Sequence, residues 1–150
     1  MGSYEPEWLC QRIVEEAPDA IIVADRDGIV RLWNGGAEAV FGHTAEEALG
    51  QSLDLIVPER FRERHWAGFR RAMETGVTRY GRELLAVPAI RKDATRISIE
   101  FSVAVLRDPG GQVLGVAAMM RDVSERWTDQ KELRERLATL EAQVAASREE

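Results

Sequence analysis

Residues 96–106, RISIEFSVAVL, set Ile97, Ile99, Phe101, Val103 and Val105 in alternation with Ser98, Glu100 and Ser102. Successive side chains of a strand point to opposite faces, so this segment predicts a β-strand with one face buried and one wet. Such a strand needs partners for its backbone and a layer over its apolar face. VLGVAAMMRDV (113–123) supplies a following strand after the Asp108-Pro109-Gly110-Gly111 turn, and TRYGRELLAVPAIRKD (78–93) a preceding one. AIIVADRDGIVRLWN (20–34) reads as a hairpin turned at Arg26-Asp27-Gly28 and shaped by Asp25 and Gly28.

The covering layer is helical. Asn34 is placed to cap GGAEAVFG (35–42), and Thr44 with Glu47 forms a capping box for HTAEEALG (43–50). Pro58 occupies the first turn of a longer helix that runs through ERFRERHWAGFRRAMETG to Gly76. Its expected apolar stripe is Phe61, His65, Gly68, Phe69, Ala72 and Met73. Before the sheet, Trp8, Leu9, Ile13 and Val14 recur at helical spacing up to Pro18, which predicts an amphipathic cap helix. After it, heptad positions a hold Val123, Gln130, Leu137 and Val144, and positions d hold Arg126, Leu133, Leu140 and Ser147. That pattern predicts a short coiled coil that pairs two copies through Val123, Leu133, Leu137, Leu140 and Val144, or else a solvated tail helix.

The chain has 150 residues, 45% hydrophobic and 31% charged, in the range of one globular domain with its own core. A net charge of -6 argues against direct nucleic-acid or anionic-membrane binding, and no apolar run is long enough for a membrane span. The one cysteine, Cys10, leaves neither a disulfide framework nor a cysteine metal cluster, so a reducing cytoplasm is the expected compartment. Enzymatic turnover is not expected: there is no nucleophile with a base, no paired catalytic carboxylates and no phosphate-cradling glycine loop.

APDAIIVADRDGIVRLWNGGAEAVFGHTAEEALGQSLDLIVPERFRERH resembles the opening of a bacterial PAS sensory domain, and IRKDATRISIEFSVAVLRDPGGQVLGVAAMMRDVSERW its closing strands. The likeness covers residues 10 to 127 and implies an α+β fold. In it a five-stranded antiparallel sheet carries short helices and one longer helix on one face. The expected organisation is a cap helix at 1–17, the PAS domain at 18–122 and a signalling helix at 123–150. In this family the Arg121-Asp122 junction would couple the sheet to the outgoing helix. The family's usual Asp-Gly turn is Asp93-Ala94 here, and alanine tolerates positive φ poorly, so a different turn type is expected.

PAS domains bind haem, flavins, small acids or nothing, and the fold does not choose among them. A flavin photoadduct is not expected, because Cys10 precedes the domain; other flavin or small-ligand binding stays open. VPERFRERHWAGF resembles the helix of haem-binding PAS oxygen sensors whose histidine holds the iron, and His65 falls on that histidine. The resemblance implies haem b with Phe61 and Phe69 beside it. Alternatives are a satisfied core or interface histidine in a cofactor-free interaction module. In those sensors an arginine on the strand before the turn faces the bound gas. Ungapped counting places Leu85 there, and a loop shortened by three residues places Arg82. An apolar Leu85 would favour carbon monoxide or nitric oxide, and Arg82 would favour oxygen. Met119 or Met120 is a candidate sixth ligand or plain core. His43 is expected at the rim, Trp33 and Trp66 as packing residues, and Arg70 and Arg71 on a solvated face from which one or two arginines could pair with propionates. With no kinase, cyclase or DNA-binding segment after the helix, the expectation is that output reaches a signalling protein in trans or that the chain is a fragment of a larger protein.

Overall fold

A computed structural model describes residues 4–78 and 85–148, without the side chains of Leu85 and Trp127. The first helix, α1 (Pro6–Glu16), is followed by β1 (Ala20–Asp25) and β2 (Val30–Trp33), then by the short helices α2 (Gly35–Phe41) and α3 (Ala45–Ala48). Two 3-10 turns, Leu53–Leu55 and Glu59–Phe61, lead into α4 (Arg62–Thr75). The strands β3 (Leu85–Ile90), β4 (Arg96–Arg107) and β5 (Val113–Asp122) precede α5 (Ser124–Arg148). All strands pair antiparallel in the order β2-β1-β5-β4-β3.

The register shows how alternation in sequence becomes two faces. One row runs Trp33, Ile22, Ala118, Val103, and the next runs Ala20, Met120, Phe101, Leu85. The first three residues of the former row and the first two of the latter are buried in the core with Val30, Phe41, Leu53, Phe69 and Met73. Each large apolar side chain removed from water contributes about 1.5–3 kcal/mol, so this helix-covered face is the main stabilising layer. The opposite face carries Ile21, Val23, Ala117 and Met119, none of which belongs to that core.

Local chemistry sets the connections. Asp25 Oδ1 accepts from the N–H groups of Asp27 and Ile29, and Gly28 takes φ 76° in the turn. Asn34 is buried, 1% exposed, and fully engaged. Its Oδ1 accepts from Ile21 N–H and Ala37 N–H at 2.8 Å each, and its Nδ2 donates to Val14 O at 2.7 Å and Asp19 O at 3.1 Å. One amide thus caps α2 and ties it to α1 and β1. The capping box of Thr44 and Glu47 is present at α3.

Several expectations are corrected. Ala94 does adopt the left-handed turn conformation, φ 68°, because Asp93 Oδ1 accepts Thr95 N–H and Ala94 N–H reaches Arg91 O; the turn keeps a glycine-type geometry without a glycine. Phe61 ends a 3-10 turn and is not inside the long helix. Gly68 lies on the exposed side of α4, with open space where a Cβ would be, so the apolar stripe is narrower than expected. Val123 is buried against the domain, its N–H bonded to Ser98 O at 2.8 Å, and is not on the free seam of α5. Among the described residues no helix is long and apolar enough to cross a membrane.

Candidate functional site

α4 lies over the core with Phe69 and Met73 buried beneath it. Its C-terminus stops at Gly76, φ 69°, whose carbonyl accepts from Arg107 Nη2 at 2.9 Å, so β4 holds that end. Its N-terminal half is held by Trp66. The indole Nε1–H donates to Asp54 Oδ1 at 2.7 Å, and its six-membered ring lies so close to the β1–β2 turn that a Cβ on Gly28 would stand 2.1 Å from Cη2. A glycine is needed there for space as well as for φ.

His65 sits one turn before Phe69 on the same side of the helix, the expected consequence of i, i+4 spacing. Its ring centroid is 4.8 Å from that of Trp66, edge to face, and 6.2 Å from that of Phe69. Nδ1 is shut off from solvent and has no hydrogen-bond partner among the described residues. Burial pushes the imidazole pKa below its ordinary value, against the pull of the Asp54 carboxylate, so the ring is neutral at pH 7. A neutral imidazole with an idle, buried nitrogen is an incomplete group, and such groups point to an absent partner or a ligand.

The other sequence-picked residues separate. Phe69 joins His65 over the core. Phe61 is half-buried one turn away, with the guanidiniums of Arg60 and Arg96 at 5.5 and 5.8 Å from its ring centroid. Met119 is removed from the site: it pairs with Ile21 and Ser102 on the sheet face away from α4. Met120 points inward, buried in the core between Ala20 and Phe101. Leu85 opens β3 opposite Phe101, but its side chain, and all of Arg82, lie outside the described residues. Trp33 is core, its Nε1–H bonded to His43 O, and His43 is half-buried at the rim. Arg70 and Arg71 are on the exposed face.

Phe101, Val103 and Val105 of β4 are packed against the core but only half-buried. One cavity of about 410 Å³ lies between Phe41–Gly42 and the Arg91–Asp93 turn, and another of about 430 Å³ between α1 and Leu32; neither is lined by His65. Among the described residues no three His, Cys, Asp or Glu side chains gather as a metal site. A haem iron brings its other equatorial ligands with it, and a single neutral imidazole beside Phe69 fits that chemistry. Sequence reasoning found His65 but missed Asp54, a lone acid in LDLIVP whose place beside Trp66 and His65 is set only by the tertiary fold.

A five-stranded antiparallel sheet with one long helix over an apolar face, and helices at either end of the chain, defines a sensory module of the kind that holds a ligand or a partner. The PAS fold family matches residues 9–123, and the chain belongs to it. An uncharacterised protein of Azorhizobium caulinodans is 37% identical over 127 residues, 84% of this chain and 17% of that protein. The sensor protein FixL of Bradyrhizobium diazoefficiens is 30% identical over 126 residues, 82% of this chain and 24% of FixL. The chain thus spans a quarter or less of the length of these relatives. The PAS domain of a Colwellia psychrerythraea protein superposes with a TM-score of 0.71 at 22% identity, over 81% of this chain and 99% of that one.

Proposed function

We propose that this PAS domain is a haem b sensor of a diatomic gas or of redox state, with His65 as the axial ligand, and that it signals through α5 without turnover of its own. The observation that carries this reading is the buried Nδ1 of a neutral His65, which has no hydrogen-bond partner among the described residues and lies beside Phe69. His65 would hold the iron, and Phe69 with Phe101, Val103 and Val105 would enclose the porphyrin by burial. Bound haem would supply a coordination position for the gas; the chain's part is to keep the imidazole neutral, oriented and away from water. Similarity to a sensor protein supports the sensory role. In this reading the domain works in the cytoplasm as a homodimer and passes its signal to a downstream partner.

A second reading has an observation of its own. Leu133, Leu137, Leu140 and Val144 are all more than half exposed on α5, which suits a cofactor-free domain that works by pairing with a second copy. Hemin titration separates the two. Expected is a Soret band at one hemin per chain that His65→Ala removes; a wild-type protein that shows no Soret band after reconstitution defeats the haem reading, and flavin or another small ligand then becomes the alternative to test.

A further inference from the structure

A buried imidazole is normally oriented by a hydrogen bond at a ring nitrogen. The buried nitrogen of His65, Nδ1, makes none among the described residues. Its orientation must therefore come from packing, and Trp66 is the ring against it, centroid to centroid at 4.8 Å and nearly perpendicular. Trp66 is itself over-determined. It touches Phe69 edge to face at 5.3 Å, bears on Gly28 in the β1–β2 turn, and donates to Asp54 at 2.7 Å from the 3-10 turn before α4. Consecutive helical residues point about 100° apart. The indole therefore flanks the imidazole and presses on it from one side.

We infer that Trp66 and Asp54 are positioning residues for His65: the Asp54–Trp66 hydrogen bond, seated on Gly28, fixes the imidazole through the indole. The inference rests on His65 being a ligand only for its functional consequence; the orientation itself is a property of the protein without haem. Two measurements keep these apart. In haem-free protein, nuclear Overhauser contacts between the ring protons of His65 and those of Phe69, a ring that none of the variants changes, report its orientation. Hemin titration reports the consequence.

Asp54→Leu removes the acceptor, Trp66→Phe removes the donor but keeps a ring, and Asp54→Asn keeps a carbonyl oxygen in place. Expected are weakened His65–Phe69 contacts and about tenfold weaker hemin binding for Asp54→Leu and Trp66→Phe, with both properties restored in Asp54→Asn. A general loss of packing would not be rescued by asparagine. Unchanged His65–Phe69 contacts in Trp66→Phe, which conserves most of the ring volume, overturn the inference even if Asp54→Leu fails to fold. Wild-type protein that takes up no hemin, with His65–Phe69 contacts still weakened in Trp66→Phe, overturns the haem reading and leaves the positioning role standing.

Discussion

Gly28→Ala tests how much of the placement of α4 depends on a turn far from it in sequence. Two costs are superposed at this position. The first is backbone: an alanine at φ 76° is in the left-handed region, at a cost of about 1–2 kcal/mol, partly offset by the about 0.5–1 kcal/mol that glycine loses in unfolded-state entropy. The second is contact. The new Cβ would stand 2.1 and 2.2 Å from Cη2 and Cζ3 of Trp66, so the indole must leave its seat and give up the Asp54 hydrogen bond. Forced repacking costs about 1–3 kcal/mol and the hydrogen bond about 1 kcal/mol. Gly50→Ala supplies the control, because Gly50 has φ 82° and nothing within 4 Å of a Cβ. Gly50→Ala is expected to cost about 1 kcal/mol and Gly28→Ala about 3 kcal/mol, a difference of about 2 kcal/mol or about 4–8 °C in Tm. Urea unfolding followed by circular dichroism reads both values. On a Trp66→Leu background the cost of Gly28→Ala should fall to that of Gly50→Ala. Equal costs for the two glycines in the wild-type background would refute the claim that the turn seats Trp66.

Two further outcomes are expected. Leu137→Asp places a charge in the seam of exposed α5 residues; loss of two buried leucines, at about 1.5–3 kcal/mol each, weakens a dimer by at least about 100-fold, read by light scattering, while the sheet spectrum stays unchanged. Lys92 and the Thr44 cap hold the Glu47 carboxyl down to about 2 from its ordinary 4.5. A depressed folded-state pKa stabilises above the ordinary value and loses that contribution as pH falls toward 2, so the stability gap between wild type and Glu47→Gln should narrow over that window in acid titration of unfolding.

The parts of the fold that sequence displays are those where one local rule acts alone. Alternation from Ile97 to Val105 exposes β4, the Thr44–Glu47 pair exposes α3, and Asn34 is recognisable as a cap before it is seen as a hub. Where two faces are both apolar the rule fails: in VLGVAAMM nothing local says whether Met119 or Met120 points inward, and register with Ile21 and Ala20 decides it. Helical spacing admits Gly68 to the stripe, but a narrow contact with the sheet leaves it out. His65 was legible because it shares its stripe with Phe69. Asp54 and the Gly28 seat were not, since they meet Trp66 only when the hairpin, the 3-10 turn and α4 converge.

At the end of β5 a side-chain pair joins the strand that leads into α5 to the connection that follows α1. Arg121 Nε and Nη2 donate to Asp19 Oδ1 and Oδ2 at 3.2 and 3.1 Å, a two-pronged pair joining β5 to the α1–β1 connection. The next residues are bound as well: Asp122 Oδ1 accepts from Ser124 N–H, and Ser98 N–H donates to Ser124 Oγ. The Arg121 side chain is 61% exposed, so the pair is worth at most about 1 kcal/mol of stability and is screened by salt. Its effect should therefore appear in coupling and not in folding. Asn34 already ties α1 to Asp19 and α2 from the buried side, so Arg121→Ala leaves the helix attached at one point instead of two. Expected is a Tm within about 4 °C of wild type, together with faster hydrogen exchange in α1 and at the start of α5, and no change in β1. Faster exchange confined to α5 would show that α1 is held by Asn34 alone, and the proposed link between the two helices would fail.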